Sequence, residues 1–212
     1  MTNLGVMYEN GQGVIKDENK AVELYQRATK LGYPRAACFL GYCYEMGIGV
    51  NKDESKAVEY YQISADGKFP QGLYNLGCCY DFGKGVEKDA SKAVQLYQMA
   101  SDLGHYSACN NLGVMYENGT GVKKDYDKAV ELYALSARRG NLIAKSNLGH
   151  CYENGIGVEI DLDEAIRWYQ AAIDDGYQEA IKELERVKKK KEKQEKKKKG
   201  FFGKWKNKKL LA

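Results

Sequence analysis

Apolar, aromatic and glycine positions recur along this chain with a fixed spacing of 36 residues. The pair Leu-Gly occurs five times, and a tyrosine, an aspartate, an alanine and a second tyrosine recur in the same phase. The first members of these columns are Leu4-Gly5, Tyr8, Asp17, Ala21 and Tyr25, and the last are Leu148-Gly149, Tyr152, Asp161, Ala165 and Tyr169. A period of this length predicts an array of structural repeats, each of which packs against its neighbours.

Within each unit the apolar residues follow the three-and-four spacing of two amphipathic helices, called here helix A and helix B. In the fourth unit, helix A is predicted from about Ala108 to Asn118, and Gly119 can close it in the left-handed conformation. Asp125 stands at the N-cap of helix B, which is predicted to run to about Arg138 and to stop at Gly140. The pattern therefore predicts an all-α, right-handed superhelical solenoid of five 36-residue helix-turn-helix repeats.

The glycine of each Leu-Gly pair lies inside helix A, where glycine costs about 1 kcal/mol relative to alanine. We expect a packing reason for this column, namely the close approach of a neighbouring helix opposite the small side chains of the alanine column. On this basis Gly113→Leu should destabilise the protein strongly, because the added side chain has no room.

The pattern LGxxYExGxGVxxD, followed by AxxxY and a terminal glycine, resembles the Sel-one-like repeat family, a relative of the tetratricopeptide repeats. The resemblance covers residues 1–180 and implies a non-catalytic scaffold or adaptor that mediates protein–protein interaction. The second unit departs from the pattern, because its final glycine, Gly67, comes one residue early and Lys68 holds the expected position. The third unit begins with Gly72 instead of alanine, and we expect this junction to differ from the others.

If the units superpose on tetratricopeptide repeats, helix A lines the concave face, and the ligand is a protein or peptide. The candidate partner-binding residues stand directly before or after the Leu-Gly pairs or one helical turn beyond them, and are Phe39, Tyr42, Glu45, Asn75, Asp81, Asn111, Glu117, Asn147, His150 and Glu153. The acidic row consists of Glu9, Glu45, Asp81, Glu117 and Glu153. Asparagine amides can bind an extended peptide backbone, and the acidic row would favour a basic partner. Alternatively, both residue types brace the turns through hydrogen bonds to the backbone.

Charge divides the chain into an acidic body and a basic C-terminal segment. Residues 1–187 hold 20 Lys and Arg against 27 Asp and Glu, a net charge of −7, whereas residues 188–212 hold 13 against 2, a net charge of +11. We divide the chain into five repeats over residues 1–180, a capping helix that runs into a lysine-rich segment over residues 181–199, and a disordered tail over residues 200–212.

The tail interleaves aromatic residues with lysines, at Phe201, Phe202, Lys204, Trp205 and Lys206. Such a segment suits an anionic membrane surface, but it also fits a nuclear localisation signal or an inert solvated tail. The absence of a long apolar stretch and of a secretory signal favours a cytoplasmic protein, at a membrane or in the nucleus if the tail directs it there. The first helix A lacks its opening residues, so either the chain is a fragment of a longer array or something covers that end.

The sequence contains no motif of nucleotide-binding, hydrolase or metal chemistry. Its six cysteines lack CxxC spacing, and Cys43, Cys79 and Cys151 share a repeat phase with Met7 and Met115, which indicates core positions. We therefore expect no catalysis, cofactor or metal. Two rival functions are a β-lactamase-type hydrolase, as assigned to some bacterial members of the family that this chain resembles, and salt-dependent nucleic-acid binding through the lysine-rich tail.

Overall fold

A computed structural model of this protein describes the backbone of residues 1–209 and the side chains of residues 1–197. Over the described backbone the structure has eleven α-helices, one 3-10 turn and no strand, which confirms the predicted all-α class. The helices are α1 (Thr2–Asn10), α2 (Glu18–Lys30), α3 (Pro34–Met46), α4 (Glu54–Asp66), α5 (Pro70–Phe82), α6 (Ala90–Asp102), α7 (Tyr106–Asn118), α8 (Tyr126–Arg138), α9 (Leu142–Asn154), α10 (Leu162–Asp174) and α11 (Ile181–Lys209), with the 3-10 turn at Gln178–Ala180. The odd-numbered helices α1 to α9 are helices A, and the even-numbered helices are helices B.

The helix ends follow local sequence chemistry. Each helix A is followed by a glycine in the left-handed conformation, with φ between 69° and 75°. Each helix B follows an aspartate whose carboxylate accepts from a backbone N–H of the first turn, as Asp125 does at 3.0 Å. These contacts confirm the predicted roles of Gly119 and Asp125 and the end of helix B at Arg138, while α7 begins at Tyr106, two residues earlier than predicted.

The chain divides into two compact units, residues 1–124 and residues 125–212. In the first unit, a buried tyrosine ring of helix B lies directly against the glycine of helix A. A Cβ atom on these glycines would lie 2.5–2.7 Å from a ring carbon. The pairs are Gly5 with Tyr25, Gly41 with Tyr61 and Gly77 with Tyr97. The expectation that the alanine column faces the glycines is therefore wrong in the main, although the carbonyl oxygen of Ala57 also comes within 3.1 Å of a Cβ on Gly41.

From the second repeat onward, the second glycine of the Gly-X-Gly loop lies against backbone atoms of the preceding repeat. A Cβ atom on Gly85 would lie 2.2 Å from the carbonyl oxygen of Glu54, the first residue of helix B in the preceding repeat. The equivalent pairs are Gly49 with Glu18, Gly121 with Ala90 and, in the second unit, Gly157 with Tyr126. These glycines also have positive φ angles of 64–68°, so both the conformation and the lack of space require glycine.

The junction between the second and third repeats differs from the others in two local contacts and one backbone conformation. Gly67 is required because a Cβ atom there would lie 2.2 Å from the ring of Pro34. Lys68 takes the left-handed position that glycine fills in the other repeats, with φ of 54°, and it is the one non-glycine residue with positive φ in the described chain. Gly72 makes room for Ser64, whose Oγ would lie 2.2 Å from a Cβ atom at that position.

The starts of the helices A are stabilised in two ways. Helices α3 and α5 begin with Pro34 and Pro70, which have no N–H group to satisfy at this position. Helices α7 and α9 lack the proline and are capped by a side chain. His105 Nδ1 and Asn141 Oδ1 each accept from the backbone N–H three residues on, at 3.2 Å and 2.9 Å.

In the second unit, α11 packs against α10 and closes the core of the last repeat. This core consists of Leu162, Ala165, Tyr169, Ala172, Ala180, Leu184 and Val187. Helix α11 runs on to Lys209, so the backbone of residues 200–209 is helical where the sequence analysis expects disorder. Lysine, glutamate and glutamine are good helix formers, and Lys191 and Glu195 form an i,i+4 pair at 4.0 Å. No helix of the described chain is long and apolar enough to cross a membrane.

Candidate protein-interaction surface

In the first unit, three carboxylates of the acidic row are held in place by tyrosines of helix B, whose hydroxyls donate to them. These bonds are Tyr25 to Glu9 and Tyr61 to Glu45, both at 2.7 Å, and Tyr97 to Asp81 at 3.4 Å. Each ring lies across the helix A glycine, which brings the hydroxyl to the last turn of helix A. The bracing considered from the sequence thus exists, but its donor is a tyrosine hydroxyl rather than the backbone. Burial, followed by the bond to the carboxylate, raises the pKa of Tyr25 and Tyr61, so both hydroxyls remain donors.

One carboxylate of the row in the first unit also binds a lysine of this chain. Tyr61 donates to Oε2 of Glu45, and Lys84 Nζ lies 3.4 Å from Oε1 of the same carboxylate. The Glu45 side chain keeps 25% of its surface exposed. Its two oxygens therefore have separate roles, since one accepts the internal tyrosine bond and the other binds a cation.

In the second unit, Glu153 also binds a cation of this chain, and here both carboxylate oxygens accept hydrogen bonds from an arginine. Arg186 donates from Nε to Oε1 at 3.1 Å and from Nη2 to Oε2 at 2.7 Å, and the Tyr169 hydroxyl donates to Oε2 at 3.2 Å. Burial alone raises the pKa of Glu153, but the bonds from Arg186 and the charge of Lys190 outweigh it and hold the pKa below its usual value. Glu153 is 3% exposed, so a partner could reach it only by displacing Arg186.

Asn147 and His150 line an open cleft of about 540 Å³ in the second unit. His150 is exposed, and its Nδ1 lies 3.1 Å from the side-chain nitrogen of Asn154. Because that amide nitrogen can only donate, Nδ1 accepts and the ring proton of neutral His150 is assigned to Nε2. Glu179 and Glu183 also line the cleft, and sequence reasoning missed both. Their four-residue spacing was the available signal, since it places two carboxylates on one side of a helical turn.

In the first unit, Asn75 belongs to a hydrogen-bonded network around His105. The His105 ring stacks on Tyr74 with centroids 4.5 Å apart, and its Nε2 lies 3.0 Å from Gln71 Oε1. Gln71 donates to Asn75 Oδ1 at 2.8 Å, and the Asn75 amide lies 3.7 Å from Cys38 Sγ. Burial lowers the pKa of His105, which keeps the ring neutral as both cap and donor. The capping role of this histidine was not predicted from the sequence.

The other predicted partner-binding residues differ in exposure. Tyr42 is 41% exposed on α3, whereas Phe39 is half-buried and stacks on Tyr25 with centroids 5.4 Å apart. Asn111 and Glu117 are half-buried on α7. The predicted surface-binding side chains of Phe201, Phe202, Lys204, Trp205 and Lys206 lie outside the described residues. Partner binding by all of these residues stays a prediction.

All six cysteines are free thiols. Burial is the main cause that raises the pKa of Cys38, Cys43 and Cys79 to about 12, so these thiols are protonated at neutral pH and are poor nucleophiles. Of the five residues that share this repeat position, four are buried as predicted, namely Cys43, Cys79, Met115 and Cys151, whereas Met7 is 37% exposed. Within the described residues, no three His, Cys, Asp or Glu side chains are grouped to hold a metal ion.

A family model described as the Sel1 repeat matches this chain over residues 1–33, 34–69, 70–105, 107–141 and 142–177. The solved structure of a Sel1 repeat protein from Oxalobacter formigenes is similar, with a TM-score of 0.82 and 32% identity, over 86% of this chain and 73% of that chain. A protective antigen present in uropathogenic Escherichia coli strains, which displays an SLR fold, has a TM-score of 0.80 and 32% identity, over 86% of this chain and 39% of that chain. An immunity protein from Pseudomonas aeruginosa has a TM-score of 0.57 and 26% identity, over 85% of this chain and 69% of that chain. No curated protein sequence matches.

Proposed function

This chain belongs to the Sel1 repeat family, and we propose that it is a non-catalytic adaptor that binds a basic protein or peptide through its helix A surface. Sel1 repeat proteins are generally protein-interaction scaffolds. The adaptor role and the basic character of the partner are specific to this proposal. They rest on the chemistry of the acidic row rather than on any one relative.

The observation that carries the proposal is that carboxylates of the row are held by a tyrosine hydroxyl in a position where they also bind a cation. In Glu45, the Tyr61 hydroxyl holds Oε2 while Lys84 binds at Oε1. In Glu153, the Tyr169 hydroxyl donates to Oε2, and Arg186 binds both oxygens. In Glu9, Tyr25 holds Oε2 in the same way, and no described side chain bonds to Oε1. A carboxylate fixed by an internal donor is preorganised for a cation, so less side-chain freedom is lost on binding. This geometry matches a partner that presents lysine or arginine.

Fluorescence anisotropy with a labelled lysine- and arginine-rich peptide, and with its glutamine-substituted counterpart, tests the proposal on the full chain. Glu9→Gln combined with Glu45→Gln should weaken binding of the basic peptide by about tenfold, since charge-assisted hydrogen bonds are lost. The matched control is Glu23→Gln combined with Glu59→Gln, which removes the same charge from exposed positions of helix B. Equal losses in the two double variants would contradict the proposal, because the effect would then follow net charge alone.

The lysine-rich tail is proposed as an anionic-surface or targeting element beside the adaptor surface. Its aromatic and basic residues match the composition of segments that bind anionic lipid headgroups. Cosedimentation of the full chain with phosphatidylserine vesicles, compared with phosphatidylcholine vesicles, tests this role. Replacing Phe201, Phe202 and Trp205 with serine should reduce binding while the net charge stays constant. Equal binding to both vesicle types, or no effect of the replacement, would leave the tail without a lipid-binding role.

A further inference from the structure

Two neighbouring helices A of the first unit end in apolar residues where the other repeats end in asparagine. Helices α3 and α5 end at Met46 and Phe82, whereas α1, α7 and α9 end at Asn10, Asn118 and Asn154. The side-chain nitrogens of Asn10 and Asn154 each donate to the carbonyl oxygen four residues earlier, at 3.0 Å. Asparagine therefore adds a hydrogen bond to the last turn of the helix. Met46 and Phe82 cannot make this bond, so the chemistry of the helix end does not account for them.

Met46 and Phe82 also expose much of their apolar surface, 57% and 64% respectively. The ends of α3 and α5 lie side by side, because Lys84 Nζ comes within 3.4 Å of Glu45 Oε1. Tyr42 is exposed as well and precedes Met46 by four residues, which places it on the same side of α3. We call these three residues, Tyr42, Met46 and Phe82, the Met46–Phe82 patch. An exposed apolar patch that is rimmed by charged residues is typical of an interaction site.

The charge around the patch favours a basic ligand. The helices A of the first unit hold one Lys or Arg against four Asp or Glu, a net charge of −3. Two of these carboxylates directly precede the apolar residues, since Glu45 comes before Met46 and Asp81 before Phe82. A complementary ligand would therefore interleave apolar residues with lysines.

The C-terminal segment of this chain, residues 200–212, has that composition. It holds four lysines and no acidic residue, and its large apolar residues are Phe201, Phe202, Trp205, Leu210 and Leu211. Helix α11 leads into this segment, and its first turns are fixed in the second unit by Leu184 and Val187. The helix has 29 residues, a length of about 44 Å. It therefore carries the segment away from the core of its own second unit, where another molecule can bind it.

We propose that residues 200–212 of one molecule bind the Met46–Phe82 patch of a second copy of this chain. The apolar residues of the segment cover the patch, and its lysines face the carboxylates of Glu45 and Asp81. The inference rests on the proposed adaptor function and deepens it, because it names one basic partner of the helix A surface.

Sedimentation velocity of the full chain, without lipid, tests the proposal. The sedimentation coefficient should rise with protein concentration, with a dissociation constant on the order of 10–100 μM, as for a small transient interface. A coefficient that stays at the monomer value up to about 500 μM would overturn the inference.

Two double variants locate the contact on the first unit. Met46→Asn combined with Phe82→Asn should weaken self-association by about tenfold, and the fold should tolerate it because three other repeats carry asparagine at this position. The matched control is Ile63→Asn combined with Met99→Asn, which removes exposed apolar side chains from helix B and should leave self-association unchanged. Equal effects of the two double variants would overturn the inference, and thermal melting checks that both are folded.

Mixing two defective variants identifies the two partners of the contact. Replacing Phe201, Phe202 and Trp205 with serine should also weaken self-association by about tenfold. This variant keeps the patch, and the Met46→Asn, Phe82→Asn variant keeps the C-terminal segment, so the two should associate with each other when mixed. No association in the mixture would overturn the inference, since the contact would then join two patches or two C-terminal segments. If basic peptides bind in a manner that depends on Glu9 and Glu45 while the full chain stays monomeric, the adaptor function stands and this inference fails.

Discussion

Alanine at Gly77 tests the contact between helix A and the tyrosine of helix B. Its Cβ atom would lie 2.7 Å from Tyr97 Cε1 and 2.8 Å from Cδ1, whereas carbon atoms in contact prefer about 3.5–4.0 Å. The ring has little freedom to withdraw, because Tyr97 is fully buried and its hydroxyl bonds to Cys78 and Asp81. Overpacking here costs about 2 kcal/mol, and the gain in helix propensity from glycine to alanine is about 1 kcal/mol. Gly77→Ala should therefore lower the free energy of unfolding by about 1 kcal/mol.

Tyr97→Ala supplies the matched background for this test. Without the ring, the same Gly77→Ala change should raise the free energy of unfolding by about 1 kcal/mol, which is the helix-propensity gain alone. The wild type, the two single variants and the double variant form a cycle with an expected coupling of about 2 kcal/mol. Urea unfolding followed by far-ultraviolet circular dichroism measures all of these free energies.

A rise in stability for Gly77→Ala in both backgrounds would refute the reasoning, since the ring would then not exclude a side chain. An equal fall in both backgrounds would refute it as well, because the loss would not depend on the ring.

Three further predictions concern other features of the chain. Lys68→Gly should raise the free energy of unfolding by about 0.5–1 kcal/mol in urea titrations, because it relieves the left-handed backbone of a non-glycine residue; a loss of stability would contradict this. Burial lowers the pKa of His105 in the folded protein. The neutral ring therefore contributes its full stability above about pH 6.5, which is the pKa of histidine in an unfolded chain. This contribution is lost as the pH falls through the lower pKa of the folded protein. His105→Asn copies the cap at Asn141 and should flatten the decline of the melting temperature with acidification, whereas an unchanged pH profile would exclude His105 as its source. The full chain should hydrolyse a chromogenic β-lactam no faster than a buffer control, and saturable turnover would refute the non-catalytic assignment.

The sequence predicted those parts of the fold that depend on local chemistry. Asp125 and Gly119 act within one helical turn of their own positions, so their roles follow from residue type and spacing alone. The 36-residue period predicted the rest of the architecture, because every repeat packs against its neighbours through equivalent positions. For the same reason, the displaced glycine at Gly67 was visible as a departure, but its contact with the ring of Pro34, which is distant in sequence, was not.

The candidate site was predicted less completely, because its chemistry depends on contacts between elements. The acidic row was identified, but the tyrosine hydroxyls that hold it come from helix B, and the spacing gave no reason to connect Tyr61 with Glu45. The cleft was missed because Glu183 and His150 belong to different helices and meet only where α11 follows the last repeat. The alanine column was preferred as the neighbour of the glycines on size alone, although a flat ring such as that of Tyr97 fits the same narrow gap.

The contact of Gly85 with the backbone of Glu54 has a consequence for how such a chain can change its length. Backbone atoms are the same in every residue, so this joint does not depend on which side chains the two neighbouring repeats carry. A whole unit of 36 residues can therefore be duplicated or deleted within a gene with this contact kept, provided that side-chain contacts at the same junction, such as that of Gly72 with Ser64, are kept as well. Surface residues such as Tyr42 and Phe82 are then free to diverge unit by unit, since the interchangeability of the repeats does not rest on them.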